Sequence, residues 1–262
     1  MAAQTLAANG AKVYICGRTQ HKLETASREH GRHISGEIIP VQADISTKLG
    51  VKALVDDISS REKCLCILVN NAGISSTSGT TSEAKSAEEL RQSLFDSGDS
   101  TFDEWADVYR TNVTSMFFTT AAFLPLLQKS TERHPEWSGT VINITSISGI
   151  IKSAQHHFAY NTSKGAAEHL TRMLAAEVAD AGLKIRINSV APGVFPSEMT
   201  TGSSDSSQKS SIQKSKYEGR VPAQRPGKDE DMAGAILFTA TNQYLNGQSI
   251  VVDGGYTLAA GK

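Results

Sequence analysis

Tyr160 and Lys164 stand at positions i and i+4 of the segment Phe158-Ala-Tyr160-Asn-Thr-Ser-Lys164. The residues around them read as the start of a long helix, where i and i+4 share a face. The lysine ammonium then lies beside the phenol. A neighbouring cation favours phenolate and is expected to lower the tyrosine pKa toward working pH. Tyr160 is therefore a candidate general acid or base. By itself Tyr-x-x-x-Lys is weak evidence, and for the lone motif a pair on a solvated helix face is by far the commoner reading. Its meaning depends on what other segments bring to it.

Apolar periodicity predicts those segments. Strands are expected over 11–16, 37–41, 64–69, 140–144, 184–190 and 249–253. Helices are expected over 2–9, 20–30, 48–59, 87–94, 101–128, 158–180 and 229–241. Strands alternating with helices predict a Rossmann-like, doubly wound parallel α/β sheet. No repeat or linker divides the chain, so 1–262 is expected to be a single domain. Residues 75–100 read as a polar surface insertion, and 198–220 as a serine-rich loop over a site.

Composition narrows the partners. Of 262 residues, 39% are hydrophobic and 20% charged, and 26 basic residues against 27 acidic leave a net charge of −1. That balance suits a sizeable core and points to neither nucleic acid nor a membrane surface as partner. No apolar run is long enough to span a bilayer, and the first residues lack the pattern of a signal peptide. A cytoplasmic location is expected. Cys16, Cys64 and Cys66 fall in strand-like runs and are expected to be buried thiols. On a strand, Cys64 and Cys66 would face opposite ways, so neither a shared metal nor a disulfide is expected.

Several short motifs stand in one order: Asn70-Asn-Ala-Gly73, Asn112, Ser146, Tyr160-x-x-x-Lys164, Pro192-Gly193 and Val252-Asp-Gly-Gly255. With them the chain resembles the short-chain dehydrogenase/reductase family over nearly its whole length. Within that family it looks most like 3-oxoacyl reductases of rhamnolipid and secondary-metabolite type. The resemblance implies a catalytic tetrad of Asn112, Ser146, Tyr160 and Lys164. Tyr160 would protonate a carbonyl oxygen as hydride arrives at carbon. Lys164 would depress the tyrosine pKa and bind the nicotinamide ribose. Ser146 would hold the substrate oxygen, with Ser148 a rival, and Asn112 would hold a water leading from Lys164. The Ser146 to Tyr160 spacing is one residue longer than the family's usual spacing, so the loop between them must bulge. A homo-oligomer, usually a tetramer packed through the helices 101–128 and 158–180, is implied as well. Leu170, Met173 and Leu174 on the second of these read as core.

The resemblance also implies a dinucleotide site. Arg18 stands where an acidic residue would select NAD, and its fork suits a 2′-phosphate, so NADP(H) is expected over NAD(H). Asp44 would bind the adenine edge, with Ile45 beside the ring. Asn71, Ala72 and Gly73 would lie along the cofactor, which Tyr160 and Lys164 also touch. Pro192, Gly193, Val194 and Phe195 would meet the nicotinamide amide, and Ser197 would add a hydroxyl contact. The family opens with a strand and a glycine-rich turn that holds pyrophosphate, and neither is found here. That strand is central in the family sheet, so its neighbours are expected to lack their shared partner. A start codon placed too late is the favoured explanation. The expected function is NADPH-dependent reduction of a small-molecule ketone or 3-oxoacyl group. The alternative is a catalytically silent binding or scaffold protein.

Overall fold

Six parallel strands form among the described residues, but they form two sheets. β1 (Lys12–Gly17) pairs with β2 (Glu37–Gln42). β3 (Ile67–Asn70), β4 (Gly139–Ile144), β5 (Ile185–Pro192) and β6 (Ser249–Val252) form the second sheet in that order. The expected gap is therefore present: no strand joins β1 to β3 among the described residues. The computed structural model describes residues 1–76, 84–98, 100–213, 215 and 221–260. Parts of the 75–100 insertion and of the 198–220 loop lie outside them.

The helices are α1 (Ala2–Ala8), α2 (Gln20–His30), α3 (Lys48–Arg61), α4 (Ala87–Leu94), α5 (Phe102–Tyr109), α6 (Ser115–Arg133), α7 (Phe158–Asp180), α8 (Glu198–Thr201), α9 (Asp229–Thr241) and α10 (Tyr256–Ala259). Local chemistry sets several starts. Thr47, Ser86 and Thr101 each accept a backbone N–H of the turn they precede, satisfying a donor the helix leaves free. The expected helix 101–128 forms as one unbroken helical run from Phe102 to Arg133, but it is not α-helical throughout. A π turn at Arg110–Thr114 separates α5 from α6, and Asn112 lies within it. Such turns are rare and frequent at functional sites.

Two hydrophobic clusters cover the two faces. Leu54 and Ile58 of α3, Leu126 and Leu127 of α6, and Val178 of α7 meet Val141, Ile185 and Ile187 on one face. Leu6 of α1 and Met232 and Ile236 of α9 meet Ile142 and Val190 on the other. Alternation along β4 and β5 puts successive side chains into opposite clusters. Each buried Ile or Val contributes about 1.5–3 kcal/mol relative to an exposed one. The two sheets share this core: Val13 of β1 and Ile67 and Val69 of β3 all pack against the second cluster.

Buried polar groups pin the register. Asn70 Nδ2 donates to Thr120 Oγ1 at 2.9 Å and to Asn143 Oδ1 at 2.8 Å, and Asn143 Nδ2 donates to Thr171 Oγ1 at 2.9 Å. This chain ties β3 to β4, α6 and α7, and it fixes where the segment after β3 emerges. No helix among the described residues is long and apolar enough to cross a membrane. Cys16 is exposed, and Cys64 and Cys66 are half-buried, so the expectation of buried thiols is not met. Cys64 and Cys66 also precede β3, which begins at Ile67, so strand alternation does not govern them. Leu174 joins the core as expected, but Met173 is exposed.

Candidate active site

The carboxyl ends of β3, β4 and β5 and the first turns of α7 converge on Tyr160. Lys164 Nζ lies 5.7 Å from the centre of the Tyr160 ring and donates to Ile144 O, at the end of β4, at 2.9 Å. Ser146 is buried and follows β4 directly. Its Oγ accepts the Ser148 N–H at 3.1 Å, capping the short 3-10 turn Ile147–Gly149, and its hydroxyl favours the Tyr160 phenolate. The rival Ser148 thus supplies a backbone donor that orients Ser146. The extra residue in the loop before Tyr160 has a structural counterpart. Gln155 and His156 both take positive φ, 48° and 69°, a conformation that side-chain-bearing residues rarely adopt.

Asn112 is fully buried. Its Oδ1 accepts the Ile74 N–H at 2.8 Å, and its Nδ2 donates to Ile74 O at 3.0 Å and Ser163 Oγ at 2.9 Å. The π turn thus clamps the segment that follows β3 onto α7. A Cβ on Gly73 would stand 3.2 Å from Asn112 Oδ1 and 3.6 Å from Lys164 Nζ. A side chain there would fill the space beside both groups, so glycine keeps the cradle open. Asn112, Ser146, Tyr160 and Lys164 are therefore brought to one cleft.

Burial dominates the electrostatics. It pushes the Tyr160 phenol above its ordinary value, and the Ser146 hydrogen bond only partly offsets this. It pulls the Lys164 ammonium down to about 8, against the opposing pull of the Glu168 carboxylate. The sequence-based expectation of a lowered tyrosine pKa is thereby reversed, because desolvation outweighs the opposing effect of the Ser146 hydroxyl. Glu168 was not among the expected site residues. It stands at i+4 from Lys164 on the same helix face and is buried. It accepts the hydroxyls of Ser189 at 3.0 Å, Ser249 at 3.1 Å and Thr145. The continued i+4 spacing was its only signal. Ser163 and Ser76 were also missed. Ser76 Oγ accepts the Tyr160 N–H at 3.4 Å, and Ser76 O lies 3.0 Å from His157 Nδ1.

The expected dinucleotide residues separate into those that face a cleft and those that do not. Arg18 is exposed at the end of β1. Asp44 is exposed after β2, where the Ser46 hydroxyl and N–H hold its carboxyl below the usual range, helped by Arg18. Asn71 and Ala72 are exposed beside Gly73. The Pro192-Gly193-Val194 backbone continues from β5, and Gly193 N donates to Val252 O at 2.8 Å. A Cβ on Gly193 would stand 2.7 Å from Asp253 Cα, so this turn requires glycine. Three of the expected residues have side chains engaged within the fold. Ile45 packs against the core cluster. The Phe195 ring is buried in the other cluster, under Gly227. The Ser197 hydroxyl caps α8, accepting the Thr200 N–H at 3.3 Å.

The match to known proteins covers the same ground. A family model described as enoyl-(acyl carrier protein) reductase matches residues 1–257. The chain belongs to the short-chain dehydrogenase/reductase family. It is an oxidoreductase of that family, which acts on small molecules. A short-chain dehydrogenase/reductase of Diaporthe leptostromiformis is 36% identical over 260 residues, covering 97% of this chain and 86% of the relative. A rhamnolipids biosynthesis 3-oxoacyl-[acyl-carrier-protein] reductase of Pseudomonas aeruginosa is 33% identical over 261 residues, covering 98% and 91%. Among solved structures, the Pseudomonas aeruginosa RhlG/NADP active-site complex superposes with a TM-score of 0.76 at 30% identity, covering 97% of this chain and 90% of that one.

For this short-chain dehydrogenase/reductase, the structure permits a test of fit to a dinucleotide. The open cradle at Gly73 leads to Lys164, and the exposed Arg18 guanidinium leads from β1. An open cradle and an exposed guanidinium are groups that suit a dinucleotide.

Proposed function

We propose that the chain is an NADPH-dependent carbonyl reductase that converts a ketone or 3-oxoacyl group to a secondary alcohol. The observation that carries this reading is the convergence of the Ser146 hydroxyl and the Lys164 ammonium on Tyr160. When bound, NADPH supplies the hydride. Tyr160, kept protonated by burial, gives its proton to the carbonyl oxygen as charge develops there. Ser146 donates a hydrogen bond to the same oxygen. Lys164, titrating at about 8, is matched to return a proton to the phenolate. Asn112 holds Gly73 and Ile74 in place beside Lys164.

Arg18 would hold the 2′-phosphate and Asp44 the adenine edge. Asn71, Ala72 and Gly73 would run along the cofactor, with Lys164 at the nicotinamide ribose. The backbone of Pro192–Phe195 would meet the carboxamide. The NADP complex of the Pseudomonas aeruginosa neighbour supports this preference. Residues 1–262 then form one catalytic domain, with 198–220 as its substrate loop. A cavity lined by Ser76, Ser97, Ser100, Glu104, Trp105 and His156 adjoins Ala159 and supports a substrate that carries polar groups entering beside Tyr160. Exposed Phe102, Phe117 and Met173 on α5, α6 and α7 support self-association through those helices, as a tetramer.

The test is 3-oxoacyl-thioester-dependent oxidation of NADPH. Tyr160→Phe is expected to lower kcat by about 10²–10⁴-fold while leaving NADPH affinity nearly unchanged. Full turnover by Tyr160→Phe, or no NADPH binding by the folded chain, would sink the reading.

A further inference from the structure

β3 runs toward Tyr160, so its amino end lies at the opposite end of the sheet from the cleft. There the connection 62–66 from α3 carries Cys64 and Cys66, and His134 directly follows α6 as its C-cap. One ligand atom from each of the three lies within 4.8 Å of the other two. Cys64 Sγ and His134 Nε2 are 3.9 Å apart. Tetrahedral Zn²⁺, with Zn–S near 2.3 Å and Zn–N near 2.0 Å, sets sulfur–sulfur and sulfur–nitrogen separations of about 3.8 and about 3.6 Å. The observed spacing meets that geometry with side-chain adjustments well under an ångström for the measured pair.

We propose that Cys64, Cys66 and His134 form a Zn²⁺ site whose fourth position is open to water. The donor set is the soft and borderline one that zinc takes, and two thiolates balance its charge. Binding releases the two thiol protons to solvent. The backbone holds each ligand in place. Leu65 N, between the cysteines, donates to Leu126 O of α6 at 3.0 Å. Thr140 N of β4 donates to Cys66 O at 3.0 Å, and His134 N donates to Ser130 O at 3.1 Å. Cys64 and Cys66 are half-buried and His134 is exposed, which leaves solvent access on the imidazole side. Glu62 lies outside this ligand-spaced group, and its Oε1 accepts from Lys12 Nζ at 2.6 Å and Tyr14 Oη at 2.7 Å. The ion would staple the 62–66 connection to α6 and β4 at the base of β3. Among the described residues β3 has a strand partner on one side only, so this staple falls where the sheet is least supported.

The experiment is a Co²⁺ titration of the full chain in a phosphine reductant, followed by displacement with Zn²⁺. The expected result is a thiolate-to-cobalt charge-transfer band and strong visible bands of four-coordinate cobalt, saturating at one ion per chain. Zn²⁺ should abolish the bands and raise the thermal midpoint. Cys64→Ser with Cys66→Ser should remove the band, and His134→Ala should weaken binding at least about ten-fold. Cys16→Ser should leave both unchanged. Circular dichroism checks that each variant is folded. No charge-transfer band in the folded natural chain would overturn the proposal. So would a band that survives in the double serine variant, one lost in Cys16→Ser, or a Cys64–Cys66 disulfide that persists in the reductant. The assay needs no turnover, so its failure is separate from failure of the reductase reading.

Discussion

The four-stranded and two-stranded sheets are built from similar residues, yet they are unequally buried. Every residue of β4 except its last is buried, and so is every residue of β5 except its last. In β1 no residue is buried, and Lys12 and Cys16 are exposed. Lys12-Val-Tyr-Ile-Cys is in fact the more apolar of the two when set beside Gly139-Thr-Val-Ile-Asn. What differs is the number of neighbours. β4 and β5 each have a strand on both sides and a helix layer on each face. β1 has one strand partner. Hydrophobic stabilisation follows area removed from water, so the same kind of segment contributes less at an open edge. The half that holds Tyr160 is thus rigidly framed, whereas the half that holds Arg18 is tied on by fewer contacts.

Paired truncations test that contrast most directly. Ile187→Ala, at a fully buried site in β5, should cost about 2–5 kcal/mol in urea unfolding, whereas Val13→Ala in β1 should cost less than about 1.5 kcal/mol. Hydrogen exchange should show β4 and β5 opening only with the whole fold and β1 opening locally. Equal costs and equal protection would abolish the distinction.

A pH series sharpens it next. Burial holds Lys164 at about 8, against an ordinary value of 10.5. Between those values the unfolded chain binds more protons, so stability rises with pH. The gain is complete above about 10.5 and is lost as pH falls to about 8; its full size is about 3 kcal/mol. Cys16, Cys64 and Tyr160, whose pKa values are raised by burial, oppose the gain above about 9, so the window to measure is pH 8–9. Urea midpoints across it should climb more steeply in the natural chain than in Lys164→Met. A flat profile in both would mean that the lysine is not desolvated.

On the two-stranded side, Arg18→Ala should weaken NADPH binding by about 10–100-fold by calorimetry and leave NADH affinity unchanged, as expected for loss of a charge-assisted contact to a 2′-phosphate. The smallest effect is expected at Lys22, whose Nζ reaches Glu198 Oε1 at 2.8 Å and links α2 to α8. Both side chains are largely exposed, so Lys22→Ala should cost under about 0.5 kcal/mol.

Much of this was legible beforehand. Helix 158–180 and the strands β4 and β5 follow from apolar periodicity, which encodes which face turns inward. The tetrad was implied by the family resemblance, and only the Tyr160–Lys164 pair follows from local spacing: the two meet because one helix turn separates them. Other features depend on distant partners. Asn112 sits in a π turn because Ile74 and Ser163 hold its amide. Phe195 and Ile45 turned to the core because a cluster from other elements covered them. Ser197 was taken by its own helix cap.

By itself the sequence determined the element types, the parallel α/β class and the pairing of Tyr160 with Lys164, since periodicity and i,i+4 geometry are properties of the chain alone. Tertiary structure decided the direction of the Tyr160 and Lys164 pKa shifts, because burial sums over every neighbouring element. It also brought Cys64, Cys66 and His134 together, because α6 ends where the connection into β3 begins.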